Sequence, residues 1–279
     1  MEERRERAVE AAVAVARRLG LDSARPAILA DANNTLVHFV DARVVAKVGT
    51  SHFRDAELES LERELLVAAY LAERGAPVVA PVGGVAPGPH RRGSLTVTLW
   101  QYEQPAGATV LDPVEVAAAL KSIHRALTDF PSPLPLFTLE LVDARRLLKP
   151  ERSPALTPND RQFLLDVVDE LGSALAALVG DTRSLHGSPH GGNWLPTARG
   201  LLLLDFETAC RGPAEWDIAA LDDRAAAFFP EADLELIALL RRMRSACVAA
   251  KCWVEPNRAP ELFEAAHVHL KLLRGQPLD

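Results

Sequence analysis

Cysteine is scarce in this chain: 279 residues carry three, Cys210, Cys247 and Cys252. None belongs to a C-x-x-C pair, and the odd count excludes the disulfide framework that small secreted domains rely on, so a reducing cytoplasm is the expected home. Long apolar runs are missing too. No stretch approaches the roughly 20 apolar residues that a membrane-spanning helix needs. The opening segment, Met1 to Arg7, alternates acids and arginines where an export signal would place an apolar core. Neither export nor membrane insertion is expected. Positive charge is in deficit, with 31 Lys and Arg against 38 Asp and Glu, a net charge of -7. That balance argues against non-specific nucleic-acid binding and leaves room for a cationic ligand. No internal repeat is visible.

What is present suits a folded, soluble chain: 48% apolar and 25% charged residues, long enough for one large domain or two lobes. Ala8, Val9, Ala12, Val13 and Ala16 recur at helical spacing and Gly20 follows them, which predicts a leading amphipathic helix from Glu3 to Leu19. Short β-type runs come next, Ala27 to Ala30, Thr35 to Val40 and Arg43 to Val48, and predict an antiparallel meander. A helix is expected from Asp55 to about Arg74, with Leu58, Leu61, Leu65, Ala68 and Ala69 on one face and Gly75 and Pro77 ending it. Strands are expected at Val78 to Val85 and Ser94 to Gln101. Beyond Tyr102 helices dominate. Asp112-Pro113 and Thr157-Pro158 open two of them, a Pro-rich connection lies between, and Gly180 closes the second. The order implies a small, mostly β lobe, an extended connector near Gln101 to Pro105, and a larger helical lobe.

Three places carry chemistry. Lys47 lies in the β-type run Arg43-Val44-Val45-Ala46-Lys47-Val48, which is similar to the V-A-I-K strand whose lysine holds nucleotide phosphates in protein kinases. Glu64, on the next predicted helix, is a candidate partner for that ammonium, with Glu57, Glu59 and Glu62 as competitors. The third place is His186-Gly187-Ser188-Pro189-His190-Gly191-Gly192-Asn193, followed by the strand Leu201 to Leu204 and then Asp205-Phe206-Glu207. An Asn and an Asp brought together by two short strands are hard oxygen donors suited to magnesium. A hydrolase reading of Ser188 lacks the glycine two residues before the serine. A zinc reading of His186 and His190 lacks the helix, because Gly187 and Pro189 intervene.

This constellation resembles the aminoglycoside phosphotransferase and choline kinase superfamily, whose loop reads H-G-D-x-x-x-x-N with a metal-binding aspartate after a short hairpin. The Leu61-Glu62-Arg63-Glu64 segment, Trp100 to Glu103 and Gly212 to Asp217 fall in the family's order, so the resemblance spans roughly Ala30 to Leu221. It implies an α+β, two-lobed protein-kinase-like fold: a small antiparallel-sheet lobe at 1–102 and a larger, mostly helical lobe at 103–279 that carries the catalytic loop and acceptor site. It implies ATP or GTP and Mg2+ as cofactors, with Asn193 and Asp205 as metal ligands and Lys47 and Glu64 as the phosphate-positioning pair. The Asn33-Asn34-Thr35 turn would lie over the phosphates, and Trp100 to Glu103, with Trp100 and Tyr102, would form the hinge at the nucleotide. His186 would shape the catalytic loop, and Asp217 would brace it. One position departs from the pattern. Ser188 stands where the family has its catalytic aspartate, and loss of a positioned base costs about 10²- to 10⁴-fold in rate. His190 is a candidate replacement. The expected activity is phosphoryl transfer to a hydroxyl of a small polar acceptor such as an aminoglycoside-like antibiotic, an amino-alcohol or a sugar. The alternatives are a nucleotide-binding pseudokinase and an aspartate-to-serine variant of an active kinase.

Overall fold

The structure, a computed structural model, describes residues 2–31, 34–50, 57–107, 110–176, 182–258 and 260–277. The chain divides into two compact units, Met1–Pro131 with Gly191–Ala209, and Ser132–His190 with Cys210–Asp279.

The first unit is a five-stranded antiparallel sheet with a helix on one face. Helix α1 (Glu2–Arg18) leads into β1 (Pro26–Asp31), β2 (Asn34–Phe39) and β3 (Val44–Gly49); after α2 (Glu57–Glu73) come β4 (His90–Arg92) and β5 (Leu95–Gln101). The strand order is β1-β2-β3-β5-β4. Side-chain alternation sorts the sheet into two faces. Val37, Phe39, Val44, Ala46, Val48, Val97 and Leu99 pack with Ala8, Ala11, Ala12, Val15 and Ala16 of α1. Full burial of each larger apolar side chain stabilises by about 1.5–3 kcal/mol, which is why α1 stays on the sheet. Lys47, opposite Leu36 on β2 and Thr98 on β5, occupies the other face. The predicted stops at Gly20 and Gly75 hold. Gly20 and Gly75 both take positive φ, and their helices end with paired bonds: Leu21 N–H to Ala16 C=O (2.9 Å) and Ala76 N–H to Leu71 C=O (3.0 Å) are the long ones.

Asp31 pins α1 to the sheet. Its carboxylate takes Arg4 Nη2 at 2.6 Å and Arg5 Nε at 2.8 Å, and accepts from Thr35 Oγ1 at 2.8 Å. Burial alone would raise this carboxyl, but the bonds from Arg5 and Thr35 and the charge of Arg4 outweigh it and hold it below its usual range. A carboxyl depressed by folding stabilises above its unfolded pKa, near 3.9, and that contribution fades as pH falls through the folded value. Asp31→Asn should therefore cost on the order of 1–2 kcal/mol at neutral pH. In urea titrations the gap between wild type and variant should stay constant above about pH 5 and close below about pH 4.

The sheet also corrects the sequence reading. Val78 to Val85 is not a strand: Val78 and Pro81 make isolated bridges, to Leu203 and Trp100. Pro81 has no N–H to give a ladder and Gly83-Gly84 follow it, so only scattered bonds form, among them Gln101 N–H to Ala80 C=O at 3.0 Å. The short strand β4 was not foreseen. On α2, Leu58 is exposed while Val67 and Leu71 join Leu61, Leu65 and Ala68 in the interior. Asp55 and Gly180 lie outside the described residues.

Helix α3 (Pro113–Leu127) closes the first run of the chain, with Asp112 capping it by accepting from Val114 N–H at 2.9 Å. The chain returns to this unit for the hairpin of β7 (Trp194–Thr197) and β8 (Gly200–Leu203). The second unit holds α4 (Leu139–Leu147), α5 (Pro158–Leu175), β6 (Arg183–Leu185) paired with β9 (Cys210–Gly212), then α6 (Glu215–Ile218), α7 (Asp223–Ala226), α8 (Leu234–Cys252) and α9 (Pro260–Leu273). Helix α4 went unread because its signal is nine residues long and abuts the Pro-rich connection. Thr157 caps α5 as expected, its Oγ1 accepting from Asp160 N–H at 3.2 Å.

Candidate functional site

In the first unit one ammonium gathers three carboxylates. Lys47 Nζ donates to both oxygens of Glu64, at 2.8 and 2.9 Å, and to Asp205 Oδ1 at 3.0 Å. Glu207 Oε1 lies 2.5 Å from the same nitrogen and accepts from Asn34 Nδ2 at 2.8 Å. The local chain geometry explains the convergence. Lys47 is on the sheet face that α1 leaves open, and α2 presents Glu64 to it. Asp205 sits at φ 65, a left-handed turn that ends the β8 run and starts a single 3-10 turn at Phe206–Thr208. That turn aims two carboxylates, two residues apart, at one point. Glu64 is 2% exposed by side chain, Lys47 8%, Glu207 10% and Asp205 44%, so the cluster is graded from a sealed end at Glu64 to an open end at Asp205.

The charges follow from this arrangement. Burial alone would lower the Lys47 ammonium; the nearby Asp205, Glu207 and Glu64 carboxylates outweigh it and hold it well above its ordinary value. Burial pushes the Glu64 carboxyl up; Lys47 pulls it back, and Asp205 and Glu207 push again, leaving it raised to about 8. Three acids share one base, and the surplus negative charge is what a cation would answer.

Carboxylate oxygens of Glu64, Asp205 and Glu207 lie within 4.8 Å of one another. Asn193 approaches from the hairpin: Trp194 pairs with Leu203, and Leu204 N–H donates to Asn193 C=O at 2.9 Å, which sets Asn193 beside the segment entering Asp205. It is 8% exposed. Hard oxygen donors at this density fit a magnesium-type ion.

The remaining first-unit candidates have their own engagements. Thr35 is fully buried, bonded to Asp31, with Thr50 Oγ1 at 3.5 Å. Trp100 is buried and its indole N–H donates to Thr98 Oγ1 at 2.9 Å. Tyr102 stacks on His38 with centroids 3.7 Å apart, and its hydroxyl donates to Gln104 at 3.2 Å. Asn33 lies outside the described residues.

The loop with Ser188 belongs to the second unit, and its backbone is held from two sides. Asp217, fully buried, accepts from His186 N–H at 2.9 Å and from Gly187 N–H at 2.7 Å. Arg244 of α8 donates to Gly187 C=O at 2.9 Å and lies over the Trp216 ring at 3.8 Å. His186 is fully buried and its Nδ1 accepts from Ser188 N–H at 3.0 Å, so this imidazole shapes the loop. Ser188 is half-buried; His190 is exposed, its N–H donating to Ser188 C=O at 2.9 Å.

Two residues escaped the sequence reading. Glu207 was visible as the third letter of Asp205-Phe206-Glu207, and its two-residue spacing from Asp205 could have suggested a second carboxylate at the same point. Arg244 gave no signal, being one of several arginines on a long helix.

The chain matches the phosphotransferase enzyme family over residues 25–267 and belongs to it. The resemblance read from the motifs is thereby borne out, and the match reaches beyond the segment that carried it. No curated protein sequence matches the chain. Among solved structures the chain is similar to choline kinase LicA from Streptococcus pneumoniae, 17% identical with a TM-score of 0.67 over 94% of this chain and 98% of that one. It is also similar to amicoumacin kinase hAmiN in complex with AMP-PNP, Ca2+ and Ami, 14% identical with a TM-score of 0.60 over 91% and 90%. A third is a thermostable mutant of an aminoglycoside phosphotransferase in a ternary complex with ADP and hygromycin B, 13% identical with a TM-score of 0.61 over 94% and 95%. At these identities the likeness shows the fold, which is the α+β kinase-like fold with an antiparallel sheet and a helical part.

Proposed function

We propose that the protein is a nucleotide- and magnesium-dependent kinase that phosphorylates a hydroxyl of a small polar molecule. The observation that supports this reading most is the Lys47 cluster, in which a buried ammonium is fixed by Glu64 and faces Asp205 and Glu207. Lys47 holds the phosphates, Glu64 holds Lys47, and Asn193 and Asp205 are the residues that would hold the metal. A magnesium ion held by them would supply neutralisation of phosphate charge. Asn34, the first residue of β2, would steady the phosphates with its side-chain amide. Trp100 and Tyr102 contribute apolar surface on the sheet side of the base. The solved relatives support this choice of ligands, since their complexes contain AMP-PNP or ADP together with Ami or hygromycin B. No helix among the described residues is long and apolar enough to cross a membrane.

Ser188 sets the expected rate. A hydroxyl is no base at neutral pH, so the acceptor proton passes to solvent or to His190, and positioning carries the rest of the catalysis. The test is ADP release over a panel of amino-alcohols, sugars and aminoglycosides, with wild type and Ser188→Asp in parallel. Weak wild-type turnover that rises about 10²- to 10⁴-fold in Ser188→Asp fits a kinase lacking its base. Turnover in neither protein with any acceptor would count against the kinase reading and favour a pseudokinase.

A further inference from the structure

Glu207 is the member of the cluster whose contacts are hardest to assign to a metal ligand alone. One of its oxygens, Oε1, takes both the Lys47 ammonium at 2.5 Å and the Asn34 amide at 2.8 Å. An oxygen that accepts simultaneously from a lysine and from a side-chain amide at the start of a strand has the hydrogen-bonding surroundings of a phosphate oxygen. Asn34 and Lys47 come from β2 and β3, neighbours in the sheet, while Glu207 comes from the far side of the β7–β8 hairpin in sequence. The carboxylate is 10% exposed, so it is desolvated where it meets these donors.

We propose that Glu207 is a specificity-determining residue: it occupies the donors meant for the nucleotide's phosphate, so that the site accepts a cation-complexed polyphosphate and rejects the bare one. The inference rests on the nucleotide reading above. A bare polyphosphate reaching Lys47 and Asn34 has to displace the Glu207 carboxylate and then sits against the like charge of Asp205 and the displaced Glu207. A complex that carries its own divalent cation gives the displaced carboxylate a partner, and the exchange becomes one set of charge-assisted bonds for another. Asp205 does not play this part. It touches Lys47 at 3.0 Å, and its side chain is 44% exposed, so it gives way at smaller cost.

The test is the affinity for ATP by isothermal titration calorimetry, in excess EDTA and in excess Mg2+, for wild type, Glu207→Gln and Asp205→Asn. Wild type should bind ATP at least about tenfold more tightly with Mg2+ than in EDTA, and Glu207→Gln should gain about tenfold in EDTA as one charge-assisted contact stops competing. Asp205→Asn removes the same charge and should gain clearly less. If Glu207→Gln melts below wild type, Glu207→Ala at low temperature serves as the second variant, with the same expected gain. A wild type that binds Mg-ATP while no Glu207 variant gains affinity in EDTA overturns this inference and leaves the nucleotide reading intact. Equal gains from Glu207→Gln and Asp205→Asn overturn it as well, since net charge would then explain the preference. A wild type that binds ATP in neither condition overturns both.

Discussion

Lys47→Met should lower the stability of the metal-free protein by about 3–5 kcal/mol, the scale on which buried ion pairs fail when one partner is removed. Methionine fills much of the lysine's volume, so the loss is one of charge. Three acidic side chains then face one another without the ammonium, and two of them, Glu64 and Glu207, are largely shielded from water. In a chain of this size that corresponds to a fall in melting temperature of roughly 5–15 °C. The penalty has a pH signature. Glu64 is already raised to about 8 with Lys47 in place. Removing the ammonium takes away the charge that pulls Glu64 back down and raises it further, and a carboxyl raised by folding favours the folded state as pH falls. Denaturant titrations should therefore show a larger gap between wild type and Lys47→Met at pH 8 than at pH 5.5. A gap that widens toward acid would contradict the cluster as described.

The second large effect is expected at Asp217. Its two oxygens satisfy the N–H groups of His186 and Gly187 in a fully buried setting, and its charge stands near the Arg244 guanidinium. Asp217→Ala leaves two buried donors without acceptors and the buried Arg244 without the larger of its opposing charges, a combined cost of about 3–5 kcal/mol. Asp217→Asn retains one acceptor and should cost less. Amide exchange gives the local readout: His186 and Gly187 should lose protection in Asp217→Asn while the amides of α5 keep theirs. Uniform loss across the second unit would place the role of Asp217 in general stability and not in the loop.

Lys47 and Asp205 show how unevenly the sequence spoke. Lys47 was legible through the likeness of its Val-Val-Ala-Lys-Val run to the V-A-I-K strand of kinases. Asp205 was legible because its hairpin announces itself in four leucines. The pairing of Lys47 with Glu64 could not be chosen over Glu59 or Glu62 by local pattern; it needed the rotation of α2 against β3. Helical periodicity misjudged that same rotation at Leu58, which faces outward. Glu207 escaped because an acid two residues past a better candidate reads as a solvated neighbour until the left-handed turn at Asp205 folds it back. The stretch from Val78 to Val85 was read as a strand from its valines, but a proline without an N–H and two glycines left it with bridges instead of a ladder. Composition carried the large-scale division into a sheet and helices, and local steric chemistry decided where that division failed.

A kinase of this kind takes up a metal–nucleotide complex at the acidic end of the Lys47 cluster. The direct measurement is the melting temperature of the wild type and of Asp205→Ala with ATP, with Mg2+ and with both. A ligand at 100 times its dissociation constant should stabilise the folded wild type by about 2.7 kcal/mol, an upward shift of several degrees with ATP and Mg2+ together that disappears in Asp205→Ala. An unchanged wild-type melting temperature under saturating ATP and Mg2+ would contradict it.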